Sequence, residues 1–241
     1  MKYIINNPTE EQLNFLKSIG LCVYCEYEHT YCTDVPEIKE EELPEGVVDL
    51  GLQSGLKWAS CNIGAYKPYE YGKLFQFGRT DGYYHDDPSH KFRTYKQNKA
   101  DTGNRYIPLT TSGKTYAAGE VLDPADDAAY AATNGTLRMP TADEISELIY
   151  GTINEWCQCN SVLGRLFTSK KDASKKIFIP AAGNFNRYDF NNEEFRGYVW
   201  SSSVNSYADN CAYSLYFYSD VCYCTDRNRY RGLSVRGVMS A

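Results

Sequence analysis

The run Ala212-Tyr213-Ser214-Leu215-Tyr216-Phe217-Tyr218 sets the strongest limit on what this chain can fold into. Successive side chains of a strand point to opposite faces, so Tyr213, Leu215 and Phe217 share one face and Ser214, Tyr216 and Tyr218 the other. One face can pack while the other changes. The surrounding segment, Ser201 to Val238, contains no Lys, Glu, Gln, Trp or Met, although residues 1–200 use all five. At average usage these types make up roughly one residue in five, so their chance absence over such a span is on the order of one in a few thousand. Strand propensity depletes Lys and Glu but neither excludes Gln, Trp and Met together nor supplies Cys211, Cys222 and Cys224. Every type present can be encoded by a codon ending in a pyrimidine, and the five absent types cannot.

A chain of 241 residues is long enough for one large domain, or one domain with a small appendage. Its 22 Tyr, 18 Gly and 42% hydrophobic content predict a strand- and loop-rich globule. The net charge of −6 argues against a nucleic-acid surface, which needs a basic footprint. With no twenty-residue apolar run, no membrane insertion is expected, and the N-terminus lacks the apolar core of a secretory signal. The nine cysteines, at 22, 25, 32, 61, 157, 159, 211, 222 and 224, match no disulfide framework and read as mostly free thiols made in a reducing compartment.

Residues 1–46 read as an appendage and acidic linker. Thr9-Glu10-Glu11-Gln12 is a capping box for a short helix carrying Leu13 and Leu16 and ended by Gly20. A strand-like run follows at Leu21–Tyr27. Cys22, Cys25, His29 and Cys32 have types that bind zinc, but no second Cys-x-x-Cys or His pair completes a site, and no metal is assigned. Asp34 to Gly46, with Lys39-Glu40-Glu41-Glu42, reads as a charged linker.

Residues 47–241 read as the main domain. A helix is expected over Asp123–Ala132, and a second after Pro140, where Thr141 and Glu144 form a capping box and Ile145, Leu148 and Ile149 make a buried stripe. Residues 79–120 read as long surface loops. Two helices framed by short strands, the first and last paired, describe an α+β domain. His85-Asp86-Asp87-Pro88-Ser89-His90 gathers metal-ligating types but reads as a solvated loop. Asp126 and Asp127 would point to different faces of a helix, which disfavours an acid–base pair. Cys222-x-Cys224 stands among Tyr, Asn and Asp with no base beside it.

An ordered series of motifs runs through this domain: Val48-Asp49-Leu50-Gly51-Leu52, Lys57-Trp58-Ala59-Ser60-Cys61-Asn62-Ile63-Gly64-Ala65, Glu70-Tyr71-Gly72, Phe75-Gln76-Phe77-Gly78, Asp126-Asp127-Ala128-Ala129, Leu137-Arg138-Met139-Pro140-Thr141, Phe178-Ile179-Pro180-Ala181-Ala182-Gly183, Trp200-Ser201-Ser202-Ser203 and Ser234-Val235-Arg236. It resembles the major paralogous domain family of gut anaerobes, which is similar to the C-type-lectin-like branch shared by formylglycine-generating enzymes and the variable proteins of diversity-generating retroelements. The resemblance covers roughly residues 47–238. It implies a C-type-lectin-like domain with two helices and short antiparallel strands. The C-terminal composition is similar to a retroelement-diversified region, in which randomised template adenines turn AAC codons into Asn, Tyr, Asp, Ser, Cys, Arg or His but never Lys, Glu, Gln, Trp or Met.

The resemblance implies a variable surface within about 184–231, comprising Asn186, Arg187, Tyr188, Tyr207, Asp209, Asn210, Tyr216, Tyr218, Asp220, Cys222, Tyr223, Cys224, Asp226, Asn228 and Tyr230. Tyr offers a large amphipathic contact at low rotamer cost, and Asn, Ser and Asp adaptable hydrogen bonds, as in antibody loops. The implied function is non-enzymatic display of a protein- or glycan-binding face, with no cofactor, for phage receptor binding or surface adhesion. A carrier or tail protein would hold the N-terminal appendage, placing the chain in a phage virion, or in the cytoplasm before assembly. The alternatives are a formylglycine-generating-type enzyme acting through Cys222 and Cys224, or an undiversified structural or adhesive domain.

Overall fold

The structure is a computed structural model that describes residues 23–25, 29–31, 35–85, 87–186 and 189–240. The Thr9–Gln12 cap and its helix, Cys22, Cys32, Asp86, Arg187 and Tyr188 lie outside the described residues. Strands β1 (Val23–Cys25) and β2 (His29–Tyr31) form an antiparallel pair. Then come β3 (Glu37–Ile38), β4 (Val47–Asp49), β5 (Lys57–Asn62) and β6 (Leu74–Gln76), followed by the helices α1 (Tyr95–Thr102), α2 (Ala128–Ala132) and α3 (Ala142–Gly151). The rest is strand: β7 (Thr152–Cys159), β8 (Val162–Ser169), β9 (Lys176–Pro180), β10 (Ala182–Asn186), β11 (Asp189–Glu193), β12 (Gly197–Val204), β13 (Cys211–Tyr218), β14 (Val221–Asn228), β15 (Gly232–Ser234) and β16 (Arg236–Met239).

Strand takes up 39% of the described residues and helix, 3-10 turns included, 14%, which overturns the expected α+β, C-type-lectin-like class with two helices: the protein is mostly β. The physical reason lies in two places. The helices are short, at 8, 5 and 10 residues. The stretch 152–180, which carries no clean sequence period, pairs as β7, β8 and β9, with β3 parallel to β7 at the edge of the same sheet.

A seven-stranded sheet, in the order β11-β10-β15-β12-β13-β14 with β6 also on β15, forms the centre. Its strands separate two apolar clusters. Val199 of β12 and Leu215 and Phe217 of β13 join Trp58, Ile145, Leu148 and Phe167 on one side. Tyr198, Trp200, Ala212 and Tyr216 join Phe77, Tyr116 and Leu122 on the other. Strands covered on both faces read as near-continuous apolar runs rather than alternating ones. Each large side chain buried in them contributes roughly 1.5–3 kcal/mol. Gly197 lies opposite Phe217, and a Cβ there would collide with that ring.

The expected pairing of the ends of the domain is present: β16 lies antiparallel to β5, and β5 to β4. Arg236 fastens the junction from a fully buried position, donating Nε to Asn62 Oδ1 at 2.9 Å, Nη1 to Ala59 O at 3.0 Å and Nη2 to Phe178 O at 3.0 Å. The acidic stretch before residue 47 is also part of the packing, because Ile38 and Leu43 are buried against Cys157, Cys159, Leu166 and Phe178. In α3, Thr141 and Glu144 make the reciprocal cap, with Ile145, Leu148 and Ile149 buried. Asp126 accepts from Ser112 N at 2.7 Å and Tyr116 Oη at 2.7 Å, and Asp127 from Met139 N at 2.8 Å, so both carboxylates tie loops to the short helix between them.

Candidate functional site

Strands β13 and β14 form a full hairpin, with Tyr218 opposite Val221 and Cys211 opposite Asn228. Its turn is held by its main chain. Arg165 of β8 donates Nη1 to Tyr218 O at 2.8 Å and Val221 O at 3.2 Å, and is itself oriented by Asn154 Oδ1 at 2.8 Å. The preceding loop is tied the same way. Buried Arg229 donates Nη1 to Asp209 O at 3.0 Å and Tyr116 O at 3.2 Å, its guanidinium lying 5.1 Å from the Phe77 ring centroid. Burial pulls the Arg229 guanidinium down to about 10, which leaves it charged at neutral pH. Asn205 Oδ1 accepts from Tyr207 N at 2.8 Å and Ala208 N at 3.0 Å. The framework thus grips carbonyls and amides of these segments, and that grip does not depend on the side chains at Tyr207, Asp209 or Asp220.

Register decides which face each side chain takes. Tyr198, Tyr216 and Tyr223 lie side by side across β12, β13 and β14, with centroids 5.0 and 5.3 Å apart. Arg227 caps this row, 4.6 Å from the Tyr216 centroid and 5.4 Å from that of Tyr198. Tyr218 adds a ring 5.7 Å from Tyr216, under Arg196 at 5.9 Å. The rings, inclined by 34° between Tyr198 and Tyr216 and by 72° between Tyr216 and Tyr223, form an amphipathic platform of tilted and edge-packed rings beside a guanidinium, buried at Tyr198 and Tyr216 and open at Tyr223. Burial, with Tyr198 beside it, pushes the Tyr216 phenol up to about 12, so it stays a donor at neutral pH.

The expected variable residues divide by exposure. Tyr207 at 94%, Tyr223 at 42%, Asp209, Asp220 and Asp226 are exposed. Asn186, Asn210, Tyr218, Cys222, Cys224 and Asn228 are half-buried. Tyr216 at 6% and Tyr230 at 5% are buried. Cys222 and Cys224 share the face of Leu215 and Phe217 and pack against the Trp58 cluster. Burial pushes each thiol up to about 11, so both stay protonated at neutral pH, the opposite of what a reactive cysteine needs. Asn228 Nδ2 donates to Cys211 Sγ at 3.3 Å.

Two of the expected positions meet away from the hairpin. Tyr230 Oη donates to Asn186 Oδ1 at 2.7 Å, and the Tyr230 ring lies 4.6 Å from Tyr95 and 6.0 Å from Tyr106. Arg105 stands 4.6 Å from the Tyr106 ring. Tyr198 and Arg227 belong to the platform but not to the expected set. Their signal was the register of β12 against Tyr216 and the two-residue turn Ser219-Asp220, which puts residue 227 on the Tyr223 face. A hollow of about 860 Å3 is lined by residues 40–68 and 132–137 and by none of the expected variable residues. Among the described residues, no group of three or more His, Cys, Asp and Glu is placed to hold a metal.

No known protein family, curated protein or solved structure matches the chain.

Proposed function

We propose that the protein displays a ligand-binding face for attachment to a protein or glycan target, and that its C-terminal surface is diversified by retroelement mutagenesis. The observation that carries the reading is the absence of Lys, Glu, Gln, Trp and Met from Ser201 to Val238, a pattern of codons rather than of strand chemistry. Two features support it. Tyr207, Asp209, Asp220 and Tyr223 project from segments whose main chain is fixed by Arg165 and Arg229, so sequence can change there at little cost to the fold. Buried Tyr198 and Tyr216 back the exposed Tyr223 ring, so the aromatic area that Tyr223 presents is held rigid, as suits a contact with diverse partners. Attachment to a carrier or tail protein through the N-terminal residues, in a phage virion, belongs to the same proposal.

Sequencing the locus across isolates tests it. Substitutions should concentrate at codons 207, 209, 220, 223 and 226 and be of adenine origin, beside a template copy and a reverse transcriptase gene. Uniform divergence along residues 47–238 would refute diversification.

A further inference from the structure

On a part of the molecule that shares no residue with the C-terminal face, a cleft of about 610 Å3 opens between the loop after β5 and the segment after β6. Tyr66, Tyr69, Glu70, Tyr71, Tyr84 and His85 line it. Several of these rings are held in place. Tyr84 Oη donates to Gly64 O at 3.0 Å. Tyr71 lies 5.3 Å from His85, which packs 4.9 Å from Phe190 and has Nδ1 3.2 Å from Glu193 Oε1. Glu70 Oε2 accepts from Tyr66 N at 2.7 Å and Lys67 N at 3.3 Å, which bends the loop and sets its carboxylate at the cleft. Tyr66 is 89% exposed and stands at the mouth.

The lining side chains are acidic and aromatic, and the nearest cation, Lys73, stands on the far side of Tyr84 in the adjoining hollow. Ring faces carry negative potential, Glu70 lines the cleft, and Glu193 stands beside His85. Burial, with Glu194 and Glu193 nearby, pushes the Tyr71 phenol up to about 12. No Lys or Arg is among the described residues lining the cleft. Lys73, whose ammonium sits 5.2 Å from the Tyr84 centroid, lines the adjoining hollow of about 500 Å3, so Tyr84 already serves one cation on that side. A hard metal ion would need several oxygen ligands at fixed distance. A sugar would need an array of polar side chains, yet the Tyr84 hydroxyl is committed to Gly64. A weakly hydrated organic cation needs only ring faces and a nearby carboxylate.

We propose that this cleft binds a small alkylated ammonium ion of the choline type, seated against Tyr71 and Tyr84 with Glu70 as counter-charge. The test is a titration of the full chain, its tyrosine rings followed by NMR, with choline chloride and with 3,3-dimethylbutan-1-ol, which has the same shape and no charge. Choline should shift the Tyr71 and Tyr84 ring signals saturably, and the neutral alcohol should bind at least about fivefold more weakly, as a desolvated cation–π contact requires. Tyr84→Leu, at an exposed position, should weaken choline binding by about fivefold or more. Unchanged Tyr198 and Tyr216 signals would show that the variant is folded. Equal binding of the alcohol, unsaturated shifts up to about 100 mM choline, more than tenfold above the low-millimolar range such a contact supports, or a folded Tyr84→Leu with undiminished affinity would each overturn it.

Discussion

Tyr216 and Tyr223 are neighbours on one row and play opposite parts. Tyr216 is wedged between Tyr198 and the Phe77 cluster, so Tyr216→Ala should cost about 3–5 kcal/mol by urea unfolding, in the manner of a buried aromatic. Tyr223→Ala and Tyr207→Ala should stay within about 0.5 kcal/mol and, on the proposed function, act on target binding instead. Thiols give a second residue-level test, because Cys157 is pushed up to about 12, and Cys159, Cys211, Cys222 and Cys224 to about 11, by burial. A thiol raised above its unfolded value of about 8.5 keeps its proton in the folded chain after the unfolded chain has lost it. The stabilisation is therefore whole below about pH 8.5 and drains away as the pH climbs toward 11. The urea midpoint should be flat from about pH 6 to 8 and fall above 9, less steeply in Cys222→Ala plus Cys224→Ala. Much of this was legible in part. The alternation of Ala212–Tyr218 gave the two faces correctly, but not that residues near 77 and 116 cover the Tyr216 side. Parity carried around the turn at Ser219-Asp220 puts Cys222 and Cys224 beside Leu215 and Phe217, an inference open to sequence once the turn length is known.

At the scale of elements, legibility followed the strength of local signals. Helix α3 could be read because a reciprocal cap sits next to an apolar stripe, and both survive in the structure. Strands β7 and β8 could not, since they carry Glu155, Gln158 and Arg165 and join through Asn160-Ser161 rather than the usual Asn-Gly. That turn holds both residues left-handed, at φ 50° and 64°. Ser161 bears a Cβ penalty there that Gly would not. Ser161→Gly should therefore stabilise the protein by up to about 1 kcal/mol, seen as a rise of about 2–4 °C in Tm. Helix α1 was hidden for another reason: Thr94 and Gln97 do cap it, but its one buried residue, Asn98, gives no apolar period to notice.

Across the whole molecule, distant segments complete one another. Ile38 and Leu43, from a stretch that reads as a charged linker, close the cluster around Phe178. A truncation through Pro44 should thus lower stability by about 3–6 kcal/mol, at roughly 1.5–3 for each apolar side chain lost, whereas a truncation through Val35 keeps both. On the proposed function, the shorter cut should abolish carrier attachment and spare target binding. Charge composition hid this role, because the two apolar residues stand among Glu37, Lys39, Glu40, Glu41 and Glu42. The pairing of β5 with β16, sealed by Arg236, joins residues 57–62 to 236–239. During synthesis at about 5–20 residues per second, β5 must wait roughly ten to thirty seconds for its partner to be made. A nascent chain therefore exposes Trp58 and its neighbours throughout that interval, which makes it a natural client for chaperones that shield apolar segments at the ribosome.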